Sequence, residues 1–169
     1  VEVLVGPLRG RSKTHLVTGY VHKPYPRKYA LLAREAGFDS ALLVRGVEGG
    51  VVPSLRQNGK AFYYHERGDE QPLDFNPADW GIDQELRAPP IPGAGDAGSL
   101  PPDTAAIAQA AAAAGLEAMR GAPGATRDAL VCAGALGLWH RRRRDSLPAA
   151  AQAVREVLDD GEALARAQR

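Results

Sequence analysis

The sequence has little cysteine and no long apolar segment. Its single cysteine, Cys132, can form no internal disulfide, which excludes a disulfide scaffold and favours a reducing, cytoplasmic location. No apolar run approaches the length of a bilayer span, so no membrane partner is expected. Residues 1–13 lack the apolar core of a signal peptide. Because the chain begins at Val1 rather than at methionine, we expect one domain over residues 1–169 that is a fragment of a longer chain.

Acidic residues are also absent between Arg9 and Arg34. Residues 1–60 carry ten Lys and Arg against four Asp and Glu, a net charge of +6, and therefore indicate an anionic partner. Tyrosines are interleaved with the basic residues, and they could stack on unpaired bases. The alternative is a solvated basic face with the tyrosines in the core. The residues concerned are Arg9, Arg11, Lys13, Lys23, Arg27, Lys28 and Arg45, with Tyr20, Tyr25 and Tyr29.

The apolar pattern predicts a strand, a crossover helix and a second strand in the first fifty residues. The segment 15–21 (HLVTGYV) is rich in β-branched and aromatic residues, and 40–44 (SALLV) is a continuous apolar run of the fully covered type. Between them, Pro26 suits the first turn of a helix that ends near Gly37. We therefore predict an α/β fold with a mostly parallel sheet covered by helices.

Further elements follow in the remaining residues. A third strand is predicted over 60–66, and a flexible proline and glycine linker over 88–102. Beyond the linker the sequence predicts a helical segment, with Asp103 or Thr104 capping its first helix and Ser146 a later one. The histidines show no metal-ligand spacing, and no Ser-His-Asp arrangement stands out. Neither a catalytic residue nor a metal ligand is therefore predicted in this chain.

The segment 41–54 (ALLVRGVEGGVVPS) resembles the strand and loop of the anthranilate phosphoribosyltransferase family, also called glycosyl transferase family 3. That family's pattern is a hydrophobic strand, His-Gly, a spacer, Asp-Gly-Leu-Asp-Glu and a Ser. Weaker similarities lie at 6–8 (GPL), 121–131 (GAPGATRDALV), 146–147 and 160–161. The resemblance implies the carboxyl-terminal part of a protein that binds phosphoribosyl diphosphate and Mg²⁺ between two domains. The family's Gly-Thr-Gly-Gly-Asp phosphate loop is absent, so no cofactor is expected in this chain alone.

The loop departs from the family at its metal site. Val51 and Val52 align with the adjacent Asp-Glu that holds magnesium in the enzymes, and their side chains offer no oxygen to a hard cation. Glu48 aligns with the family's first Asp, although it could equally be a solvated loop acid. Arg45 replaces the family's strand-end histidine with a permanent cation. We therefore expect a degraded metal site.

Residues 14–23 (THLVTGYVHK) and 45–49 (RGVEG) are similar to a divergent branch, the second type of TrpD-like protein. This resemblance implies a homodimer in the full-length form that binds single-stranded or non-specific nucleic acid along a basic groove. The first alternative is an active phosphoribosyl or glycosyl transferase whose acceptor is not anthranilate. The second is a scaffold whose basic face meets an acidic protein.

Overall fold

A computed structural model describes residues 4–6, 8–90 and 103–169, and most of the predicted linker at 88–102 lies outside this range. The described residues form four strands, five helices and two short 3-10 turns. The strands are β1 (His15–Tyr20), β2 (Ser40–Arg45), β3 (Gly59–Tyr64) and β4 (Gln71–Phe75), and the 3-10 turns cover Val47–Gly49 and Pro77–Trp80. The helices are α1 (Tyr25–Glu35), α2 (Thr104–Met119), α3 (Ala125–His140), α4 (Leu147–Asp159) and α5 (Glu162–Ala167).

The predicted strand, crossover helix and strand are confirmed as β1, α1 and β2. The two strands are parallel neighbours, with His15 opposite Ser40 and Tyr20 opposite Arg45. Pro26 lies in the first turn of α1. After the helix, Gly37 takes a positive φ of 87°, which a glycine adopts without steric cost. The α/β class predicted from the sequence is correct.

The prediction of a mostly parallel sheet was wrong. The strand order is β1-β2-β3-β4, and only the β1–β2 pairing among the described strands is parallel. Parallel strands need a crossover connection, usually a helix. Here the links over residues 46–58 and 65–70 contain no α-helix, so the chain turns back and β3 and β4 pair antiparallel. Strand β4 was not predicted; it contains Pro72 and lies at the sheet edge, where a missing N–H is tolerated.

Both faces of β2 are covered. Leu42 and Val44 point to one face and Ala41 and Leu43 to the other, and all four are fully buried. Helix α1 closes the second face through Ala30 and Ala33, together with other members of the same cluster. The first face packs against α3, α4 and the turn at Trp80. Strand β2 is therefore the buried central strand, with core side chains on both of its faces.

The carboxyl-terminal helices follow the predicted caps. The Asp103 carboxylate accepts hydrogen bonds from the first turn of α2, and the Ser146 hydroxyl accepts one from the first turn of α4. Helix α3 lies under α4, with Val131, Cys132, Ala135 and Leu136 buried in the main core. None of the described helices combines the length and the apolar character needed to cross a membrane.

Candidate functional site

The loop after β2 packs against the carboxyl end of β1. Because Tyr20 lies opposite Arg45 in the parallel pair, the carboxyl ends of both strands lie side by side. The turn Val47–Gly49 then folds back so closely that a Cβ on Gly19 would overlap the Gly50 carbonyl oxygen. A glycine at position 19 is therefore required by this close approach. The sequence identified the loop after β2 as a candidate site but did not indicate that position 19 in β1 must be a glycine.

A cleft of about 330 Å³ opens beside this loop, and we call it the loop cleft. Its lining includes the cations Arg45, Lys60 and Arg87 and the acid Glu48. Lys60 already makes an ion pair with β4, at 2.9 Å. The Oγ atom of Ser54 is buried on the same lining and has no hydrogen-bond partner among the described residues. The cleft therefore presents positive charge to an incoming anion, and a buried hydroxyl without a partner lies behind this charged lining. No sequence pattern singled out Arg87, because it comes from a distant segment.

The loop does not fit the magnesium site of the resembling family. Val51 is 39% exposed and Val52 packs against the core, and both side chains are hydrocarbon. Glu48 alone offers a carboxylate on this turn, and its backbone takes a positive φ of 52°. Magnesium is usually held by one or two carboxylates together with substrate phosphates. Within the described residues no cluster of three His, Cys, Asp or Glu side chains could hold a metal.

The basic residues predicted to bind phosphate are divided between two ends of β1. Arg9, Arg11 and Lys13 precede the strand, while Lys23, Arg27 and Lys28 follow it, and Arg45 joins the second group through the loop cleft. A strand of this length separates the two groups by about 17 Å, at about 3.3 Å per residue. They therefore form two basic surfaces rather than one.

The first group is partly engaged in intramolecular contacts. The Arg9 guanidinium donates to the Ala36 carbonyl oxygen at 2.6 Å and lies 5.3 Å from the centre of the Phe38 ring. Lys13 lies 3.8 Å from the Glu66 carboxylate. In contrast, Lys23, Arg27 and Lys28 are exposed, and none of the three has an ion-pair partner within 4.0 Å in the described part of the chain. The second group is the better placed to meet an external anion.

The three interleaved tyrosines have different environments. Tyr20 is 5% exposed, and burial raises its pKa, as expected for a core residue. Tyr29 lies in α1 and is half-buried against the core cluster on that side of the sheet. Tyr25 is 42% exposed, and its ring lies 5.8 Å from that of His22, which is also exposed. We call the exposed pair of rings His22 and Tyr25 the aromatic platform. Lys23 lies between the two ring residues in the sequence, and Arg27 and Lys28 follow Tyr25 in α1.

A second cleft, of about 360 Å³, opens at the amino ends of the two parallel strands β1 and β2. His15 begins β1, Ser40 begins β2 and His140 ends α3. The His15 Nδ1 atom lies 2.6 Å from the Ser40 Oγ atom, and the same oxygen lies 2.9 Å from the His140 Nε2 atom. The His65 ring stacks on the His140 ring, with 4.7 Å between their centres. We call this the histidine cleft.

Burial disfavours the charged form of these histidines. Desolvation lowers the pKa of His140 to about 3, with neighbouring His65, His15, Arg141 and Arg142 acting in the same direction. Desolvation is also the largest cause that lowers the pKa of His15 and of His65. No local sequence pattern indicates this cluster, since His15 and His140 are far apart in the chain and meet only through the fold.

No protein-family model and no curated protein matches this chain. Any assignment of function therefore rests on the side chains described above and on the resemblance noted from the sequence.

Proposed function

We propose that the protein binds nucleic acid, single-stranded or without sequence specificity, through the aromatic platform and the basic residues around it. The observation that carries this proposal is the exposed pair His22 and Tyr25, with the exposed cations Lys23, Arg27 and Lys28 close to it in the sequence. Exposed rings stack on any base, and unpaired Lys and Arg side chains neutralise phosphates. An ordinary solvated surface would need no exposed aromatic pair among its charges.

The loop cleft extends this surface. Val21, which directly precedes His22, lines the loop cleft together with Arg45 and Arg87. A strand of nucleic acid lying across the platform would therefore meet further cations at the ends of β1 and β2. Nearby acids limit the surface on the other side, because Asp69 and Glu70 share a cleft with Arg27 and Lys28. Glu70 is already paired with Arg34 at 3.2 Å.

In this proposal the chain is a divergent TrpD-like member of the anthranilate phosphoribosyltransferase family that makes no phosphoribosyl anthranilate. Val51 and Val52 support this proposal, because the loop that would hold magnesium has no pair of carboxylates. The homodimer that the resemblance implies belongs to the same proposal.

The test is fluorescence anisotropy of a labelled single-stranded oligonucleotide with the full-length protein, repeated at several salt concentrations. Tyr25→Ala should weaken binding by about 5- to 100-fold, because one stacked base contributes about 1–3 kcal/mol. Tyr25→Phe keeps the ring and should bind like the wild type. Alanine at Lys23 or Arg27 should lower the slope of log affinity against log salt by about 0.7 each.

Arg120→Ala provides the matched control. It removes the same charge from an exposed side chain directly after α2 that is paired with Glu117. It should leave affinity and salt slope unchanged. Affinity that is absent, insensitive to salt or unaffected by Tyr25→Ala would refute the proposal. Release of pyrophosphate from phosphoribosyl diphosphate by the full-length protein would instead favour the transferase alternative, with the unused Ser54 hydroxyl and Arg45 as candidate contacts for the diphosphate.

A further inference from the structure

The histidine cleft lies at the end of β1 and β2 that is remote from the loop cleft, and the proposed function does not use it. Its rim carries a cluster of positive charges contributed by two separate segments of the chain. One comes from Lys13 just before β1, and three come from the arginines that follow α3. The four rim cations are Lys13, Arg141, Arg142 and Arg143.

The two acids of the cleft, Asp39 and Glu66, already have partners within the protein. The Asp39 carboxylate accepts a hydrogen bond from the Thr14 backbone N–H at 2.7 Å, which is the main reason that its pKa is lowered. The Glu66 carboxylate lies 3.8 Å from Lys13. Two acids against four cations leave the cleft with an excess of positive charge. The three arginines make no ion pair with any described residue.

The floor of the cleft, formed by His15, Ser40 and His140, can supply an uncharged hydrogen-bond donor. A serine hydroxyl has one proton, so Ser40 donates to one of its two histidines and accepts from the other. The Nδ1 atom of His140 is buried with no partner among the described residues. A buried N–H group without a hydrogen-bond partner is rarer and costlier than a buried unprotonated nitrogen without one. The proton of the neutral His140 ring therefore lies on Nε2 rather than on Nδ1. His140 then donates from Nε2 to Ser40, and Ser40 donates to His15.

This order of hydrogen bonds fixes the tautomer of His15. Because its Nδ1 atom accepts from Ser40, its Nε2 atom carries the proton. His15 is partly exposed on the lining of the cleft, whereas Ser40 and His140 are buried behind it. The buried pair thus orients His15 as a neutral N–H donor at the base of a ring of cations.

The segment that carries the three rim arginines has a backbone conformation that is unfavourable for a residue with a side chain. Helix α3 ends in a Schellman motif, in which the Arg142 N–H donates to Trp139 and the Arg143 N–H donates to Leu138. The central residue of this motif takes a left-handed conformation and is usually glycine, yet here it is Arg142, with φ of 53°. A side chain there is disfavoured relative to glycine, so the helix end alone does not account for the arginine.

We propose that the histidine cleft binds a phosphate group, either as inorganic phosphate or as a small phosphomonoester, with His15 and the rim cations as its ligands. A phosphate dianion matches the excess positive charge, and its several acceptor oxygens suit forked guanidinium donors approaching from the rim. The cleft volume of about 360 Å³ is that of a small-molecule site. Ser40 and His140 act as positioning residues, because both are buried and their hydrogen bonds orient His15.

Isothermal titration calorimetry of the full-length protein with inorganic phosphate and, separately, with glycerol 3-phosphate tests the site and distinguishes the two sources. Binding of either ligand is the expected result, and the tighter one identifies the form that the cleft takes. Arg142→Gly should weaken that binding by about tenfold or more, since a hydrogen bond to a charged group is lost. The same variant should unfold at an equal or higher temperature, because glycine suits the left-handed conformation.

Arg144→Gly is the matched control. It removes the same charge from the same segment, but Arg144 does not line the cleft. Its affinity should stay within about twofold of the wild type, since the exposed Arg144 side chain is not on the cleft lining and its charge is screened by solvent and salt. Ser40→Ala gives an independent readout, because ¹⁵N chemical shifts of His15 should report the Nε2–H tautomer in the wild type and a mixture in the variant.

Two results would overturn the inference. The first is the absence of binding of either ligand at millimolar concentration. The second is an equal loss of affinity in Arg142→Gly and Arg144→Gly, which would show a diffuse surface charge rather than a site. An unchanged His15 tautomer in Ser40→Ala would refute the positioning role. Oligonucleotide binding through Tyr25 is measured separately, so failure at one site is distinguishable from failure at the other.

Discussion

Acidification from pH 7 to pH 5 should destabilise the protein through His140. Its side chain is 1% exposed, and the Nε2 atom is hydrogen-bonded to the buried Ser40 hydroxyl. Protonation would place a charge in the core beside two further histidines, His15 and His65, and the arginines that follow α3. These surroundings lower the pKa of His140 to about 3, with desolvation as the largest cause.

The sign and size follow from linkage. The ordinary pKa of histidine is 6.5, so below that pH the unfolded chain binds a proton that the folded protein does not take up until about pH 3. The contribution of neutral His140 to the free energy of unfolding is therefore fully present above pH 6.5, and it is lost as the pH falls from 6.5 to about 3. One pH unit corresponds to about 1.36 kcal/mol per group, so His140 alone should cost about 2 kcal/mol between pH 7 and pH 5. The lowered pKa values of His15 and His65 act in the same direction.

The assay is urea unfolding at pH 7 and pH 5, followed by the fluorescence of Trp80, which is buried, and of Trp139, which is partly buried. In His140→Gln the group no longer titrates, so the loss of stability between the two pH values should shrink by about 2 kcal/mol. Carboxylates titrate in both proteins and cancel in the comparison. His22→Gln, at an exposed histidine, controls for the substitution itself. An equal pH dependence in the wild type and His140→Gln would refute the reasoning.

Two further predictions concern packing. Gly19→Ala should lower the free energy of unfolding by about 1–3 kcal/mol, because its Cβ overlaps the carbonyl oxygens of the turn after β2. Gly137→Ala has no atom within 4 Å of the new Cβ and should stabilise α3 by about 0.5–1 kcal/mol, so thermal unfolding of the pair separates steric overlap from helix propensity. Burial raises the pKa of the Cys132 thiol to about 12. A thiol reagent should therefore label it only in denaturant, and rapid labelling of the native protein would contradict the buried position.

The elements that could be predicted from the sequence are those specified by neighbouring residues. The strand at His15–Tyr20 and the buried run at Ser40–Arg45 follow from local apolar and β-branched patterns. Pro26 and the caps at Asp103 and Ser146 act within one helical turn of their own positions. Such signals need no knowledge of distant contacts, so a single sequence contains them.

Strand direction could not be predicted in the same way. The run that becomes β3 is apolar on both faces and would suit either orientation, and its pairing of Ala61 with Val44 depends on the path of residues 46–58. Strand β4 contains Pro72 and exposed polar positions, so it has little strand signal of its own. It forms because β3 offers it an unpaired edge. These outcomes belong to tertiary pairing rather than to local propensity.

Charge counting located the basic residues but not their grouping. The acid-free stretch is continuous in sequence, yet β1 passes through its middle and carries Arg11 and Lys23 to opposite ends. The tyrosine pattern was ambiguous for a similar reason. Tyr20 alternates into the core of the sheet, whereas Tyr25 lies at the exposed start of α1. Only the fold separates a buried aromatic residue from one that could stack on a base.

The two clefts owe their different chemistry to the end of the sheet at which each lies. At the carboxyl end, β1 and β2 run into a glycine-rich turn, and the arginines of the loop cleft and the exposed aromatic pair belong to this end. At the amino end, the same strands begin at His15 and Ser40, directly against the end of α3, and the cleft there has a buried floor. A buried floor with an oriented donor suits a compact ligand. One pair of parallel strands thus positions both the arginines of the loop cleft and the hydrogen-bonded histidines of the second cleft.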